Sequence, residues 1–277
     1  MFTRTLKQYY FMKVAIIGAG NMGMAFANSF IQKGLVQKEN FLLIEKNAER
    51  AKVLQEEGAG TVVDSISASI GDYDLIIFSV KPQDFLSVTA ELKEVIQPNQ
   101  VVLSIMAGIT IEKIQAALNH PLVIRAMPNT PALLGLGMTA FTASSEVPEN
   151  ILAEIKVLIE STGKALHITD ESFIDGVTAL SGSGPAYFFY LVKAMIDAGK
   201  EMGFEEDMAA LLVKQTMIGS FHLMETSDKS LDELIKAVAS KGGTTEAALK
   251  RFEEGAVAQN VKEGLFAAQK RAKELSN

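Results

Sequence analysis

Apolar and polar positions alternate in two different ways along the chain, and the change comes near residue 170. Up to that point, short apolar runs are separated by longer stretches in which apolar residues recur at helical spacing. Such short runs between helices predict the buried strands of a mostly parallel α/β sheet. The predicted strands are Lys13–Ile17, Phe41–Ile44, Leu75–Val80, Val101–Ile105, Leu122–Ala126 and Met138–Thr142. A further amphipathic helix, with apolar residues from Ile151 to Ile159, ends before Gly163 and closes this part.

The rest of the chain, from about Asp170, has helical periodicity and no strand pattern. A helix that begins at Pro185 contains the run Ala186–Val192, which is apolar on every side, and such a helix has to be buried all round. Because the region 170–277 contains little material to bury it alone, we expect a second subunit to cover it in an intertwined homodimer. The other predicted helices are Glu206–Glu225, Leu231–Ala239, Thr245–Glu254 and Ala256–Leu275, with Gly255 between the last two.

The first predicted strand leads directly into a glycine-rich loop and then into a helix. The loop has the pattern G-x-G-x-x-G. Gly18 permits a tight turn, Gly20 lets the backbone approach a pyrophosphate, and Gly23 lets the helix pack closely on the strand. The N-terminus of that helix, with its free N–H groups and partial positive charge, then binds the phosphates. This order of strand, loop and helix predicts a Rossmann-type dinucleotide-binding domain.

Three more segments with glycine, proline or small polar residues follow predicted strands. In an open α/β sheet the ligand lies at the carboxyl ends of the strands, so these segments are candidates for cofactor contacts. Each is by itself also compatible with an ordinary turn, because glycine and proline are common in turns. The segments are Lys81–Gln83, Met106–Gly108 and Met127–Pro131.

The acidic residue at the end of the second predicted strand bears on the choice between NADH and NADPH. Glu45 lies about twenty residues beyond the glycine loop, where a carboxylate suits the ribose hydroxyls of NAD and repels a 2′-phosphate. Lys46 and Arg50 are near enough in sequence to pair with that phosphate, or to be solvated charges at a helix start. The sequence leaves the choice between the two cofactors open.

A second loop with two glycines, Ser240–Thr245, lies between two predicted helices. Its glycines free the backbone, and the N–H groups at the start of the next helix could hold a carboxylate. The hydroxyl of Thr244 or Thr245 is then either an ordinary N-cap or a donor to a bound ligand. The segment Ser181–Pro185 is compatible with a simple helix entry, and neither of its serines has a nearby partner base that would make it a nucleophile.

Composition narrows the class of function. The net charge of −7 argues against a nucleic-acid partner, because its phosphates would be repelled. The chain has no cysteine, which excludes disulfides, thiolate metal sites and thiol catalysis and fits a reducing cytoplasm. The apolar runs fall short of the roughly 20 residues of a membrane span, so we expect a soluble protein without a membrane partner.

The histidines and the first residues carry no predicted function. His120, His167 and His222 lie in separate regions, and we interpret all three as structural. No spacing typical of metal ligands is present, so no metal is predicted. Residues 1–11 lack the apolar segment of a secretory signal, and we expect them to be an extension without a functional role.

Seven ordered blocks together resemble the pyrroline-5-carboxylate reductase family, over essentially everything from Met12 to the C-terminus. The resemblance implies hydride transfer from NADPH or NADH to the C=N carbon of 1-pyrroline-5-carboxylate, which yields L-proline. It also implies an N-terminal Rossmann domain (12–169), a C-terminal helical dimerisation and substrate domain (170–277), and interlocked dimers that assemble into larger rings such as a decamer. The blocks are Gly18–Gly23, Val80–Pro82, Met106–Gly108, Met127–Pro131, Leu180–Tyr187, Gln215–Thr216 and Gly242–Thr245.

The same resemblance implies a role for each candidate site residue. The pyrophosphate loop comprises Gly18, Ala19, Gly20, Asn21, Met22 and Gly23, and the nicotinamide end comprises Ala107, Gly108 and Asn129. Val80, Lys81 and Pro82 form the adenosine ribose side and the approach to the nicotinamide. Glu45 and Lys46 are added to the ribose side by their position after the second predicted strand. The substrate carboxylate is held by the loop that contains Ser240, Gly242, Gly243 and Thr244. Thr245 is the catalytic candidate, since its hydroxyl would hydrogen-bond the ring nitrogen of the substrate.

Two positions depart from the family pattern, and two other classes of protein remain as alternatives. Lys241 replaces a proline in the carboxylate loop, and Glu45-Lys46 replaces the usual Asn-Arg pair. A β-hydroxyacid dehydrogenase would share the domain plan but needs a catalytic lysine, and Lys193 comes too late in the helix for that role. A non-catalytic dinucleotide-binding regulator is the other alternative, although it would not need a carboxylate-binding loop.

Overall fold

The computed structural model describes residues 12–276, and its sheet contains eight strands in the order β3-β2-β1-β4-β5-β6-β7-β8. β1 to β6 are mutually parallel, β7 is antiparallel to β6, and β8 is parallel to β7. The fold class predicted above, a mostly parallel Rossmann-type sheet followed by helices, is confirmed. The strands are β1 (Val14–Ile17), β2 (Phe41–Ile44), β3 (Thr61–Val63), β4 (Leu75–Phe78), β5 (Val101–Ser104), β6 (Val123–Met127), β7 (Gly137–Ala143) and β8 (Gly163–His167).

All six predicted strands are present within two residues at each end, and two strands escaped prediction. β3 has only three residues, none of them buried, so it leaves no apolar run to detect. β8 contains a lysine and a histidine and is largely exposed at the edge of the sheet. A strand is recognised in the sequence by the apolar residues that it buries. β3 and β8 lie at the two edges of the sheet, where few of their residues are buried, so neither has a recognisable apolar run.

The reversal at β7 follows from the connection that precedes it. β6 and β7 are joined by a 3₁₀ segment, Thr130–Leu134, and by Gly135 in the left-handed region with φ +70°. A parallel connection needs a crossover of a dozen or more residues, and this link is too short for one. The chain therefore turns back and adds β7 in the antiparallel direction.

Helices cover both faces of the sheet and complete two apolar layers. The helices of this part are α1 (Asn21–Gln32), α2 (Ala48–Glu56), α3 (Phe85–Lys93), α4 (Ile111–Leu118) and α5 (Glu149–Glu160). Phe26 and Phe30 of α1 pack in one layer together with Leu158 of α5. Val88 of α3 and Ile114 of α4 pack in the layer on the other face.

After β8, the described part of the chain forms helices joined by short connections and no further strand, as predicted. A single turn over Ile174–Val177 continues as a π-helix over Thr178–Gly182. Five longer helices follow: α6 (Gly184–Glu201), α7 (Glu206–Thr226), α8 (Leu231–Val238), α9 (Thr244–Glu254) and α10 (Val257–Ser276). No helix among residues 12–276 is long and apolar enough to cross a membrane.

The chain divides into two compact units. The sheet unit contains the described residues up to Ser183 together with the end of α10 from Ala268, and the helical unit contains Gly184–Ala267. The functional boundary between residues 169 and 170 stays a prediction, because compactness alone does not assign a function. The predicted extension 1–11 lies outside the described residues.

The apolar surface of α6 is not covered within the chain. Phe189 is 69% exposed and Tyr190 is 74% exposed. In the helical unit, α6 and α10 also enclose an apolar groove of about 490 Å³, lined by residues that include Leu191 and Val261. In the single chain, the helix that the sequence predicts to be buried on all sides therefore keeps an exposed apolar surface, which is available to a partner subunit.

Candidate functional site

A cavity of about 400 Å³ lies at the carboxyl ends of β1, β2 and β4. This is the edge where parallel α/β sheets bind ligands, because the loops after the strands diverge there. The cavity is lined by Ile17, Gly18, Gly20, Ile44, Glu45, Lys46, Asn47, Ile66, Ser79, Val80, Lys81, Asp84 and Val88. It brings together predicted residues of the glycine loop and of the adenosine ribose side.

Two of the loop glycines are required by the packing of the protein itself. Gly18 has φ +90°, and a Cβ on it would lie 2.7 Å from the carbonyl oxygen of Ser79. A Cβ on Gly23 would lie 2.5 Å from the carbonyl oxygen of Gly18. Both distances are far below van der Waals contact, so the tight turn and the close packing of α1 on the sheet need glycine at these positions.

Gly20 differs, because its space is open. No protein atom lies within 4 Å of a Cβ added there, and Gly20 lines the cavity. Gly20 is also the N-cap of α1, and no side chain caps that helix, so the N–H groups of its first turn have no capping acceptor beside a residue that lines the cavity. The residues present fit a pyrophosphate, which needs both a close backbone approach and free N–H donors.

The structure shows a partner for each charged group at the end of β2. Glu45 Oε1 accepts a hydrogen bond of 2.9 Å from the backbone N–H of Asn47. Lys46 Nζ lies 3.2 Å from Glu91 Oε1, and both side chains are substantially exposed. Arg50 Nε donates to the carbonyl oxygen of Ala19, 3.4 Å away. The carboxylate of Glu45 is thus held on the cavity wall, while the two neighbouring cations contact other protein groups.

The predicted nicotinamide-end residues lie outside the lining of this cavity. Gly108 has φ +73°, and a Cβ on it would lie 2.8 Å from the carbonyl oxygen of Leu275. Asn129 Oδ1 accepts from the backbone N–H of Met138 at 2.9 Å, and its Nδ2 lies 3.2 Å from Ser181 Oγ. Ser181 belongs to the π-helix, an element that often marks functional sites.

The carboxylate loop precedes α9 in the helical unit. Gly242 has φ +72°, with nothing within 4 Å of an added Cβ. The N-cap of α9 is Gly243 and no side chain caps the helix, so neither Thr244 nor Thr245 has the capping role that the sequence left open. The backbone N–H of Gly242 donates to Glu246 Oε2 at 2.7 Å, and that of Gly243 donates to the carbonyl oxygen of Ser240 at 2.9 Å, so both of these loop N–H groups have partners within the chain.

Sequence reasoning missed Arg125, which is 2% exposed inside β6. Its Nη1 donates to Glu171 Oε1 at 2.8 Å. The signal was available, because an arginine within the otherwise apolar run Val123–Met127 is unusual in a buried strand. Ser79 and Asp84 also line the cavity but were not predicted as site residues. In the sequence they resemble ordinary turn residues, so no pattern marks them as part of a site.

His120 is buried and hydrogen-bonded, in agreement with a structural interpretation. Its Nε2 lies 2.7 Å from the carbonyl oxygen of Gln100. Burial lowers the pKa of His120 below its usual value, although the hydrogen bond to Gln100 acts in the opposite direction. The neutral imidazole is therefore the favoured form in the folded chain.

Two family models match most of the chain. Residues 171–275 match the model described as pyrroline-5-carboxylate reductase dimerisation. Residues 13–108 match the model described as NADP oxidoreductase, coenzyme F420-dependent. The match to a dimerisation domain supports self-association of the chain.

Named relatives agree over nearly the full length. A pyrroline-5-carboxylate reductase of Pseudomonas aeruginosa is 38% identical over 265 residues, covering 95% of this chain and 97% of the relative. One of the same name from Vibrio alginolyticus is 36% identical, with the same two coverages. The solved structure of Plasmodium falciparum pyrroline carboxylate reductase with NADP bound has a TM-score of 0.86 at 26% identity, covering 96% of this chain and 99% of that one. The chain therefore belongs to the pyrroline-5-carboxylate reductase family.

Proposed function

We propose that this chain transfers a hydride from NADPH or NADH to the C=N bond of 1-pyrroline-5-carboxylate and so makes L-proline, the last step of proline biosynthesis. The observation that carries the proposal is the match of residues 171–275 to the dimerisation model of this family. The fold alone is less specific, because the structure of a prephenate dehydrogenase matches 95% of this chain at 19% identity and a TM-score of 0.54. The sequence match of the helical part to the family model is therefore what favours this family.

In the proposal, the sheet unit binds the dinucleotide. The open space at Gly20 and the uncapped N-terminus of α1 receive the pyrophosphate. Glu45 and Lys46, with Val80–Pro82, surround the adenosine ribose, and Ala107, Gly108 and Asn129 contact the nicotinamide end. Glu45, Lys46, Val80 and Lys81 line the same cavity as Gly20, and Pro82 follows directly after Lys81. This common location supports their assignment to the adenosine ribose.

The helical unit binds the substrate through the loop before α9. The loop that contains Ser240, Gly242, Gly243 and Thr244 holds the substrate carboxylate at a helix N-terminus that no side chain caps. Glu246 accepts the N–H of Gly242, and the carbonyl oxygen of Ser240 accepts that of Gly243, so the donors left to the substrate are the N–H groups of the first turn of α9, which begins at Thr244. Lys241 is exposed and adds a positive charge to the same loop.

Reduced nicotinamide, when bound, supplies the hydride. A protonated C=N bond is already electrophilic, so the protein needs no strong base and mainly has to align the reacting atoms and exclude water. Hydride addition to the carbon moves the C=N electron pair onto the ring nitrogen, and the hydroxyl of Thr245 donates a hydrogen bond to that new lone pair and so stabilises the amine that develops there. Thr245 lies at the second position of α9, half-buried, and its hydroxyl is not used as a cap.

Assembly, domain roles and location complete the proposal. Residues 12–169 form the dinucleotide-binding domain, and residues 170–277 form the dimerisation and substrate domain. The chain forms an intertwined homodimer, supported by the exposed apolar surface of α6, and the dimers assemble into a decameric ring. A cytoplasmic location stays a prediction that rests on the absence of cysteine.

One assay tests the activity and the cofactor together. Oxidation of NADH and of NADPH is followed by nicotinamide absorbance, with 1-pyrroline-5-carboxylate and, as a control substrate, a β-hydroxyacid with the oxidised cofactors. We expect turnover with the cyclic imine only, and a higher kcat/KM with NADH, because Glu45 is held on the cavity wall while Lys46 and Arg50 have protein partners. Turnover of the hydroxyacid, or cofactor binding without any turnover, would contradict the proposal. A strong preference for NADPH would contradict only the role of Glu45.

A further inference from the structure

A buried guanidinium lies at the centre of a polar cluster in the sheet unit. Arg125 Nη1 donates to Glu171 Oε1, and its Nη2 lies 3.7 Å from Asp175 Oδ1. Among the described residues, Nε and Nη2 of Arg125 have no hydrogen-bond partner. A buried charge with a single hydrogen bond is a poor source of stability, so a role beyond stability has to be considered.

The first line of contacts runs from Arg125 to the start of α4. Glu171 Oε1, which accepts from Arg125, also accepts a hydrogen bond of 2.9 Å from the backbone N–H of Ile111. Ile111 is the first residue of α4 and comes directly after the loop Met106–Thr110. Glu171 thus ties one end of this loop to Arg125.

The second line of contacts runs through the end of α10. Ser276 Oγ lies 3.1 Å from each of two acceptors, Asp175 Oδ1 and the carbonyl oxygen of Ala272, and Lys113 Nζ donates to the carbonyl oxygen of Ser276 at 2.7 Å. The preceding carbonyl, that of Leu275, lies against Gly108 so closely that a Cβ there would come within 2.8 Å. The last turn of α10 therefore packs on the middle of the same loop.

We propose that the last turn of α10, which contacts Lys113 and, through Asp175, the buried Arg125, is a positioning element that fixes the loop Met106–Thr110. Glu171 ties the other end of this loop to Arg125. The inference rests on the proposed function, which assigns Ala107 and Gly108 to the nicotinamide end of the cofactor. Hydride transfer depends on close alignment, and a displacement of about 1 Å in a supporting element can cost about a hundredfold in rate. The end of α10 then helps to align the nicotinamide by holding this loop, without itself contacting the reacting atoms.

The test releases the last turn of α10 and leaves the buried arginine in place. The double variant Lys113→Met/Ser276→Ala removes the Lys113–Ser276 and Ser276–Asp175 contacts described above. We expect kcat with 1-pyrroline-5-carboxylate to fall about tenfold or more, by the alignment argument. NADH should bind several-fold more weakly, whereas ADP-ribose, which lacks the nicotinamide, should bind as in the parent chain. The conservative pair Lys113→Arg/Ser276→Thr should restore kcat.

Two controls separate alignment from a general loss of structure. Lys93→Met removes an exposed lysine from the end of α3 and should leave kcat and both affinities unchanged. Equal weakening of NADH and ADP-ribose binding in the double variant, or an unchanged kcat in that variant, would overturn the positioning role. If the parent chain binds NADH but does not reduce the imine, the proposed function is wrong. The affinities of the double variant for NADH and for ADP-ribose, each compared with those of the parent chain, still test whether the last turn of α10 positions the nicotinamide end.

Discussion

Thr245 is the residue on which the proposed chemistry depends most directly. Replacement by alanine removes the hydroxyl that would hydrogen-bond the ring nitrogen. We expect Thr245→Ala to lower kcat between several-fold and about a hundredfold, with NADH affinity unchanged, because the hydroxyl acts on the substrate and not on the cofactor. Steady-state kinetics and a separate binding titration measure the two effects.

Two matched variants sharpen that measurement. Thr245→Ser keeps the hydroxyl and should retain most of kcat. Thr244→Ala removes the neighbouring hydroxyl but leaves the backbone N–H, so a carboxylate cradle made of backbone donors should be little affected. An unaltered kcat in Thr245→Ala would remove this residue from the proposed mechanism.

At single positions, sequence reasoning succeeded where the backbone imposes the residue type. Gly18 and Gly23 could be predicted because no other residue fits their turn and their packing. It could not rank Glu45 against Lys46 and Arg50, because the partners of the two cations come from segments that are distant along the chain. Glu91, which pairs with Lys46, is 45 residues away along the chain.

The element that carries the cofactor prediction is the loop between β1 and α1. Gly20→Val places a side chain in the open space of the cavity, where no protein atom is within 4 Å. We expect NADH to bind at least about tenfold more weakly, a change of about 1.4 kcal/mol, while the midpoint of thermal unfolding stays near that of the parent. Fluorescence titration and thermal unfolding measure the two quantities.

Gly18→Ala is the contrasting variant in the same loop. Its φ of +90° and the 2.7 Å approach to the carbonyl oxygen of Ser79 make an alanine strained. We expect this variant to lose about 1–3 kcal/mol of stability. A Gly20→Val chain that binds NADH as tightly as the parent would show that the pyrophosphate lies elsewhere.

Elements were predictable where their apolar face is regular. The six buried strands and the long helices follow from periodicity, whereas β3 and β8 lie at the sheet's edges and lack an apolar run. The direction of β7 could not be read from its own residues, because it depends on the length and turn geometry of the preceding link. The π-helix at Thr178–Gly182 likewise has no sequence pattern that separates it from an α-helix.

At the scale of the whole molecule, the open surface of α6 predicts how the chain self-associates. Phe189 and Tyr190 are mostly exposed in the single chain, and apolar areas of this kind are typical of interfaces. We expect Phe189→Glu/Tyr190→Glu to shift the protein to a smaller species in analytical ultracentrifugation, because burying two carboxylates in an apolar interface is costly.

A charge added elsewhere provides the control for this prediction. Val53 of α2 is 41% exposed and lies in the sheet unit, so Val53→Glu should leave the sedimentation coefficient unchanged. A double variant of α6 that sediments like the parent chain would place the subunit interface on another surface.

By itself, the sequence determined the layered α/β plan, the glycine loop, the helical second part and the family resemblance. These follow from local causes: the periodicity of burial, the conformational demands of glycine and the free N–H groups at helix starts. Only the tertiary structure decided which residues share the cavity, which partners the charges at β2 take, and how Arg125 connects Glu171 and Asp175 to the loop at Gly108. Such contacts join segments far apart in the chain, and their geometry depends on how the elements pack rather than on any local pattern.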